Sequence, residues 1–141
     1  NMLKTKFLLA VTLLLSSFSF VACDDPDGKW DPIQITVNGS KCKSSTYKVP
    51  ANGGEFKISS KNYGSLWINS VKENGKTVWP EEGGDWTEYK NLHITKDWCE
   101  IKYETDLIVN IHPKNDNSPS RSLSFDVECG DSFGSITLLQ E

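Results

Sequence analysis

Apolar and polar residues alternate along most of the chain, and the clearest case is residues 120–140. Four apolar residues there occupy every second position and are separated by serine or acidic residues: Leu123, Phe125, Val127 and Cys129. Because successive side chains of a strand point to opposite faces, this pattern predicts a strand with one buried and one solvated face. A turn-rich segment (130–134) and a second apolar run (136–139) follow. The stretch therefore predicts a C-terminal β-hairpin.

Shorter segments with the same alternation precede this hairpin, and each is bounded by turn-forming residues. They cover residues 33–37, 47–49, 56–58, 66–72, 77–79, 92–94, 98–103 and 107–111. Asn74-Gly75 predicts a tight hairpin turn, because both central positions of such a turn need positive φ. No segment keeps a helical period long enough to predict more than a turn or two of helix. Many short strands predict an all-β sandwich or barrel, and burial at only alternate positions favours the sandwich.

The start of the chain has the pattern of a secretory signal. Lys4 and Lys6 precede a nearly unbroken apolar run, residues 7–21, which is too short to span a bilayer comfortably. Small residues before Cys23 resemble the lipobox of bacterial lipoproteins. That resemblance implies cleavage after residues 1–22 and lipidation of Cys23. The alternative is an ordinary cleaved signal followed by an incidental cysteine.

Residues 23–32 are acidic and contain proline and glycine, so we expect a flexible tether. Acidic residues after a lipidated cysteine resemble the surface-export signal of Bacteroidetes lipoproteins, although a plain solvated linker fits as well. The predicted organisation is a signal peptide (1–22), a tether (23–32) and one β domain (33–141). The predicted location is the outer membrane, with a lipid anchor and the domain facing the cell surface.

Length and charge narrow the classes of partner. The 141 residues suit one domain, and the net charge of −4 becomes more negative once Lys4 and Lys6 leave with the signal peptide. An acidic domain lacks the basic face that nucleic acid requires. It also lacks a basic surface for docking on a membrane, so only the lipid would provide membrane attachment.

Three cysteines remain beside Cys23, an odd number for an oxidising compartment: Cys42, Cys99 and Cys129. One disulfide and one free thiol is the simplest arrangement. Cys99 and Cys129 are the favoured pair, because both lie at inward positions of predicted strands. The alternative is that all three are buried and reduced, since a free cysteine packs as a small apolar residue.

The order of several short motifs resembles the BACON domain, a module common in Bacteroidetes. The motifs are residues 49–56, Trp67, Trp98, residues 107–111, Asn115, Arg121–Phe125 and residues 136–140. The resemblance implies an immunoglobulin-like β-sandwich of about seven to nine short strands. The stretch between Trp67 and Trp98 is longer than the family pattern, and holds an extra hairpin and a glycine-rich loop. The resemblance also implies a binding or spacer module in glycan processing, not a catalyst.

The motifs that could support catalysis have simpler explanations. Residues 130–134 match G-x-S-x-G, but a nucleophile elbow needs a following helix and a later histidine, which the last seven residues do not supply. His93 and His112 fit no common metal spacing, and a solvated or hydrogen-bonded role is expected for both. Residues 115–117 are expected to form a polar turn, and Arg121 to cap loop carbonyls. We therefore expect no enzyme activity, no cofactor and no metal.

The aromatic residues are the remaining indication of function, and the five tryptophans are many for a small domain. Trp67 and Trp98 fit alternating strand patterns, so we expect them in the core. Three other rings flank an acidic loop: Trp79, Trp86 and Tyr89. The acids in that loop are Glu81, Glu82, Asp85 and Glu88.

Flat aromatic faces beside acids suit sugar rings, which stack their C–H faces and hydrogen-bond through their hydroxyls. We therefore expect a carbohydrate site, for a glycan or mucin, in which Trp79, Trp86 and Tyr89 stack on sugars. Glu82 and Asp85 would accept hydrogen bonds from sugar hydroxyls. The alternative is that these rings cover the sandwich edge. The protein would then be a spacer or assembly subunit that binds an outer-membrane protein through an apolar patch or a sheet edge.

Overall fold

The computed structural model describes residues 31–141 and contains eleven strands and one short 3-10 helix. The strands are β1 (Ile35–Val37), β2 (Ser40–Lys41), β3 (Thr46–Lys48), β4 (Gly54–Ser60), β5 (Trp67–Glu73), β6 (Lys76–Trp79), β7 (His93–Lys96), β8 (Cys99–Tyr103), β9 (Leu107–Ile111), β10 (Arg121–Cys129) and β11 (Ser132–Gln140). The 3-10 helix spans Trp86–Asn91, between β6 and β7.

The strands form two sheets that pack as a sandwich. Sheet A has the order β2-β1-β4-β9-β8-β7, and sheet B has the order β3-β11-β10-β5-β6. Neighbours are antiparallel except β3, which pairs with β11 in parallel. This is the immunoglobulin arrangement: β1-β4-β9-β8 take the A-B-E-D positions, and β11-β10-β5-β6 the G-F-C-C′ positions. The predicted all-β sandwich is confirmed, with eleven strands because segments as short as β2 also pair.

The C-terminal hairpin forms as the alternation predicts. β10 and β11 pair along their whole length, from Arg121 opposite Gln140 to Cys129 opposite Ser132. The inward side chains of β10 are almost fully buried, and Phe125 is the largest of them. Burying such a side chain contributes on the order of 2 kcal/mol. Since β10 pairs with both β11 and β5, the hairpin forms the middle of sheet B.

The hairpin between Trp67 and Trp98 is also present. β5 and β6 are joined by Asn74 and Gly75, whose φ angles of 50° and 80° are the positive values that such a turn needs. The chain then passes through a glycine-rich loop and the 3-10 helix before forming a second hairpin, β7–β8. This insertion carries the chain from the edge of sheet B to the edge of sheet A.

Several residues that carry the family resemblance meet at one end of the sandwich. The Arg121 guanidinium lies 4.8 Å from the ring centroid of Trp98. Its Nε donates to Gln140 Oε1 at 2.7 Å, and its Nη2 donates to the carbonyls of His112 (3.0 Å) and Pro113 (3.1 Å). Arg121 therefore caps loop carbonyls, as the sequence predicts.

Gln140 completes this arrangement, which we call the Arg121–Gln140 cluster. Its side chain is fully buried, and its Nε2 donates to the carbonyls of Pro50, Ala51 and His112 at 3.0–3.3 Å. One amide group thus connects the turn before β4, the end of β9 and the last strand. The core position expected for Trp98 is also found, and its Nε1 donates to Glu73 Oε2 at 2.7 Å.

Gly53 is required by the turn before β4. Its φ of 71° is in the left-handed region, which side chains disfavour. A Cβ atom at this position would lie 2.1 Å from the carbonyl oxygen of Ile111. The close approach of two backbone segments therefore leaves no room for a side chain.

The predicted Cys99–Cys129 disulfide is wrong, since both cysteines are free, as is Cys42. Cys129 Sγ donates to the carbonyl of Ser65, and the Tyr103 hydroxyl donates to the next carbonyl, that of Leu66. Cys129 therefore lies near Tyr103, at one end of β8, whereas Cys99 is at the other end of that strand. The four residues from Cys99 to Tyr103 correspond to about 13 Å along a strand. A disulfide requires Cα atoms within about 7 Å.

The start of the described region is more ordered than a tether. The carbonyl of Asp31 accepts hydrogen bonds from the Tyr63 hydroxyl at 2.6 Å and from Ser132 Oγ at 2.9 Å. Asn62 Nδ2 donates to the carbonyl of Pro32 at 2.9 Å. The last two residues of the predicted tether are thus attached to the sandwich. The predicted signal peptide, Cys23 and the rest of the tether lie outside the described residues.

Candidate functional site

The sandwich is open along one side, where the two sheets end. In the described part of the chain, β6 forms one edge of sheet B and β7 forms one edge of sheet A. The insertion crosses between these two edges. It leaves a groove of about 690 Å³ on the surface.

The groove has an apolar floor and polar walls. Leu92 is buried at its base, and Val78 and Ile94 are half-buried beside it. Trp79 and Pro80 form one wall, joined by a cis peptide bond. Polar residues line the remainder: Glu81, Asp85, Glu88, Asn91, His93, Thr95 and Lys96. An apolar base with several hydrogen-bonding groups is the usual composition of a ligand site.

The geometry of the 3-10 helix decides which of its residues reach the groove. Such a helix has three residues per turn, so side chains at i and i+3 lie on one face. Asp85, Glu88 and Asn91 have this spacing, and all three line the groove. Trp86 and Tyr89 share a different face, which packs toward β5 and β8.

Tyr89 is not an exposed stacking residue, which corrects the prediction for this ring. Only 6% of its surface is exposed, and its centroid lies 4.5 Å from that of Trp67 and 5.3 Å from that of Tyr103. Burial raises the pKa of its hydroxyl. The amphipathic spacing of the 3-10 helix places Tyr89 in the core, so it anchors the helix to the sandwich.

The other predicted sugar contacts divide between the groove and the surface around it. Trp79 lines the groove and is half-buried against the core. Trp86 is 52% exposed but lies outside the groove, with its centroid 6.2 Å from that of Trp67 in an edge-on arrangement. Asp85 lines the groove, whereas Glu82 is exposed in the loop beside it.

Asp85 also begins the 3-10 helix. Its Oδ1 accepts a hydrogen bond from the Thr87 backbone N–H at 2.8 Å. The hydrogen bonds from Thr87 lower the pKa of this carboxyl group, because they stabilise the ionised form. Asp85 therefore presents a charged carboxylate in the lining of the groove.

Sequence reasoning missed Asn91 and His93 as groove residues and did not choose Glu88. All three side chains are exposed. Residues 85, 88 and 91 are spaced three apart, but this spacing places them on one face only if the segment is a 3-10 helix. The pattern of apolar residues did not predict that helix. His93 could be placed only once β7 was known to be the edge of its sheet.

The other sequence motifs have structural explanations. His112 Nε2 lies 2.9 Å from Glu100 Oε1. Ser132, in the G-x-S-x-G match, is buried at the start of β11. Within residues 31–141, no group of three or more His, Cys, Asp or Glu side chains is arranged to hold a metal ion. The same residues contain no helix with the length and apolar character needed to cross a membrane.

The fold and the groove define the class of protein: an immunoglobulin-like β-sandwich domain with a groove along its open side. A protein from Bacteroides thetaiotaomicron, whose structure was determined by NMR, is similar over 83% of this chain and 92% of its own. The two are 34% identical in sequence and superpose with a TM-score of 0.58. The chain therefore belongs to the same family as that protein. No known family model matches the chain, and neither does any curated protein.

Proposed function

We propose that this protein is a non-catalytic carbohydrate-binding module and that its groove is the binding site. The observation that carries the proposal is the combination of Trp79 with polar side chains around one open groove. The groove volume of about 690 Å³ is within the range typical of small-ligand sites and accommodates a short oligosaccharide. The resemblance of the sequence to the BACON domain, which is tied to glycan processing, supports the same function.

Each groove residue makes the kind of contact with a sugar that its side chain allows. Trp79 offers the face of its ring to the C–H face of a sugar, a contact that contributes on the order of 1 kcal/mol. Asp85 and Glu88 accept hydrogen bonds from sugar hydroxyls, and Asn91 both donates and accepts. Because the contacts are few, affinity is weak and depends on several of them together.

We further propose that a lipid on Cys23 holds the domain at the outer membrane, facing the cell surface. The support for this is the sequence before and after Cys23. Labelling of cells with a fatty-acid probe tests it: wild type should incorporate the label and Cys23→Ala should not. Equal labelling of both would contradict the anchor. Protease treatment of whole cells then separates surface from periplasmic exposure.

A glycan array followed by titration of the best ligand tests the groove. Asn91→Ala and His93→Ala each remove one exposed polar group, and each should weaken binding about fivefold, as expected for a lost hydrogen bond. Both variants should melt at nearly the wild-type temperature. Phe133→Ala is the matched control, because Phe133 is 68% exposed on β11, which two strands of sheet B separate from β6.

Trp79→Ala and Trp86→Ala then define the extent of the site. Trp79→Ala should weaken binding by at least about fivefold, the equivalent of about 1 kcal/mol, and should also lower the melting temperature, since this ring packs partly against the core. Trp86→Ala should weaken binding only for oligosaccharides long enough to reach beyond the groove. If no glycan binds, or if binding is unaffected by all the groove variants, the proposal fails.

The absence of catalysis is part of the proposal. The groove provides groups for stacking and hydrogen bonding, and His112 is held by Glu100 instead of facing the groove. Purified protein should leave a panel of glycans and peptides unhydrolysed. Hydrolysis that a single groove substitution eliminates would show an enzyme instead.

The alternative is a spacer or assembly subunit that binds an outer-membrane protein. The observation that favours it is the exposure of Phe133, which faces the same side of sheet B as Glu128 and Trp67. Crosslinking in cells should then yield one stoichiometric outer-membrane partner. Phe133→Ala would reduce that crosslink, whereas Asn91→Ala would not. A partner without any glycan signal would favour this alternative.

A further inference from the structure

The groove carries an excess of negative charge. Three carboxylates line it: Glu81, Asp85 and Glu88. Among the described residues that line the groove, Lys96 is the only lysine or arginine, and its Nζ lies 4.0 Å from Glu73 Oε1. Part of the lysine charge is therefore already offset within the protein. A ligand that enters the groove meets a negative potential.

The carboxylates come from two adjoining segments of the chain that line the groove. Glu81 belongs to the loop that follows Trp79, whereas Asp85 and Glu88 lie on one face of the 3-10 helix. Hydrogen bonding from Thr87 keeps Asp85 ionised. His93 and Thr95 contribute to the lining from β7. Lys90, on the helix, and Glu82, in the loop, are exposed and do not line the groove.

We infer that ligand charge determines which glycans this groove prefers: amine-bearing sugars bind best, neutral sugars bind less tightly, and uronic acids and sulfated or sialylated sugars bind most weakly. This inference rests on the proposed carbohydrate-binding function and adds the class of sugar. Its physical basis is that an anionic sugar in the groove loses hydration and meets carboxylates of like charge. An ammonium group instead forms charge-assisted hydrogen bonds to the same carboxylates.

Three tetrasaccharides that share one β-1,4-linked backbone provide the test. They are the amine-bearing tetramer of glucosamine, the neutral cellotetraose, and the anionic tetramer of glucuronate that oxidation of cellotetraose gives. Titrations followed by NMR chemical shifts measure each Kd in the millimolar range. We expect each step in this order to weaken binding by about tenfold at low salt. The differences should shrink at about 1 M salt, where charges are screened within a few ångströms.

Substitutions locate the effect. The double variant Glu81→Gln with Glu88→Gln should bind the glucuronate tetramer about as tightly as cellotetraose, and it should lose the preference for the amine. Glu55→Gln, a single change on the outer face of β4, should leave the order unchanged, because two strands separate β4 from β7. Melting temperatures of all variants should match the wild type.

Several outcomes would overturn the inference. Equal affinity for the neutral and glucuronate tetramers would refute it while leaving carbohydrate binding intact. Charge discrimination that persists in the double variant would also refute it, since the groove carboxylates would not be its source. Absence of binding by all three tetramers would overturn it too, whatever the glycan array shows. The proposed function is decided separately, by the glycan array and by titration of the groove variants with its best ligand.

Discussion

The close approach of Gly53 to β9 predicts a large loss of stability when a single methyl group is added there. In Gly53→Ala the new Cβ atom would lie 2.1 Å from the Ile111 carbonyl oxygen and 2.8 Å from the carbonyl carbon of His112. These are backbone atoms, so no side-chain rotation relieves the overlap. The turn or the end of β9 has to move, and both belong to the region that the Arg121–Gln140 cluster holds together.

The magnitude follows from a comparison with Gly75→Ala. Gly75 has a similar φ of 80°, but no atom lies within 4 Å of its Cβ position. Gly75→Ala therefore costs only the left-handed backbone penalty, roughly 1–2 kcal/mol. Gly53→Ala costs the same penalty plus about 1–3 kcal/mol for overpacking. The entropy that alanine removes from the unfolded chain is the same for both and cancels in the comparison.

Urea unfolding followed by tryptophan fluorescence gives the free energy of unfolding of each variant. Gly53→Ala should be less stable than Gly75→Ala by at least about 1 kcal/mol, or about 4 °C in Tm for a domain of this size. The slope m should be equal for both, which confirms that the unfolded states are comparable. If the two variants differ by less than about 0.5 kcal/mol, the backbone yields without cost and the reasoning is refuted.

Three further predictions concern the insertion and the cysteines. Tyr89→Ala should lower the free energy of unfolding by about 3 kcal/mol, whereas Trp86→Ala should change it far less; equal losses in urea unfolding would contradict the burial difference. Asp85→Ala should lower Tm at pH 7, because the hydrogen bonds from Thr87 stabilise the ionised carboxylate of the folded protein and so lower its pKa. The loss of Tm should become smaller as pH falls below about 4, where the carboxylate is protonated; a loss that does not depend on pH would contradict this. Cys99, whose pKa burial raises to about 12, should resist alkylation at pH 8 until the protein unfolds, while the half-buried Cys42 should react sooner in mass-spectrometric mapping.

Sequence reasoning succeeded where structure depends on local pattern. The hairpins β5–β6 and β10–β11 follow from alternation and from turn residues close in sequence. The parallel pairing of β3 with β11 could not be predicted in this way, because its partners are far apart and no turn connects them. The alternation pattern also led to the wrong prediction of a Cys99–Cys129 disulfide. It shows that a residue points inward, but not toward which end of the sandwich.

The candidate site shows the same limit. Of the five predicted sugar contacts, Trp79 and Asp85 line the groove, and the groove extends onto β7, which the prediction did not include. The sequence could not separate Tyr89 from Trp86, since both are aromatic and both flank acids. Their difference arises from burial against Trp67 and Tyr103, which come from other parts of the chain.

The Arg121–Gln140 cluster also has a consequence for how the chain is made. Gln140 is the residue that joins the turn at Pro50 to the end of β9, and β11 lies between β3 and β10 in its sheet. Until the last strand has been synthesised, sheet B lacks a central member, and β3 has no neighbour to pair with. Contacts across such long sequence separations form late and slowly. The domain therefore completes its fold only after residue 140 has been synthesised, and a chain cut before β11 lacks the strand that joins β3 to β10 in sheet B.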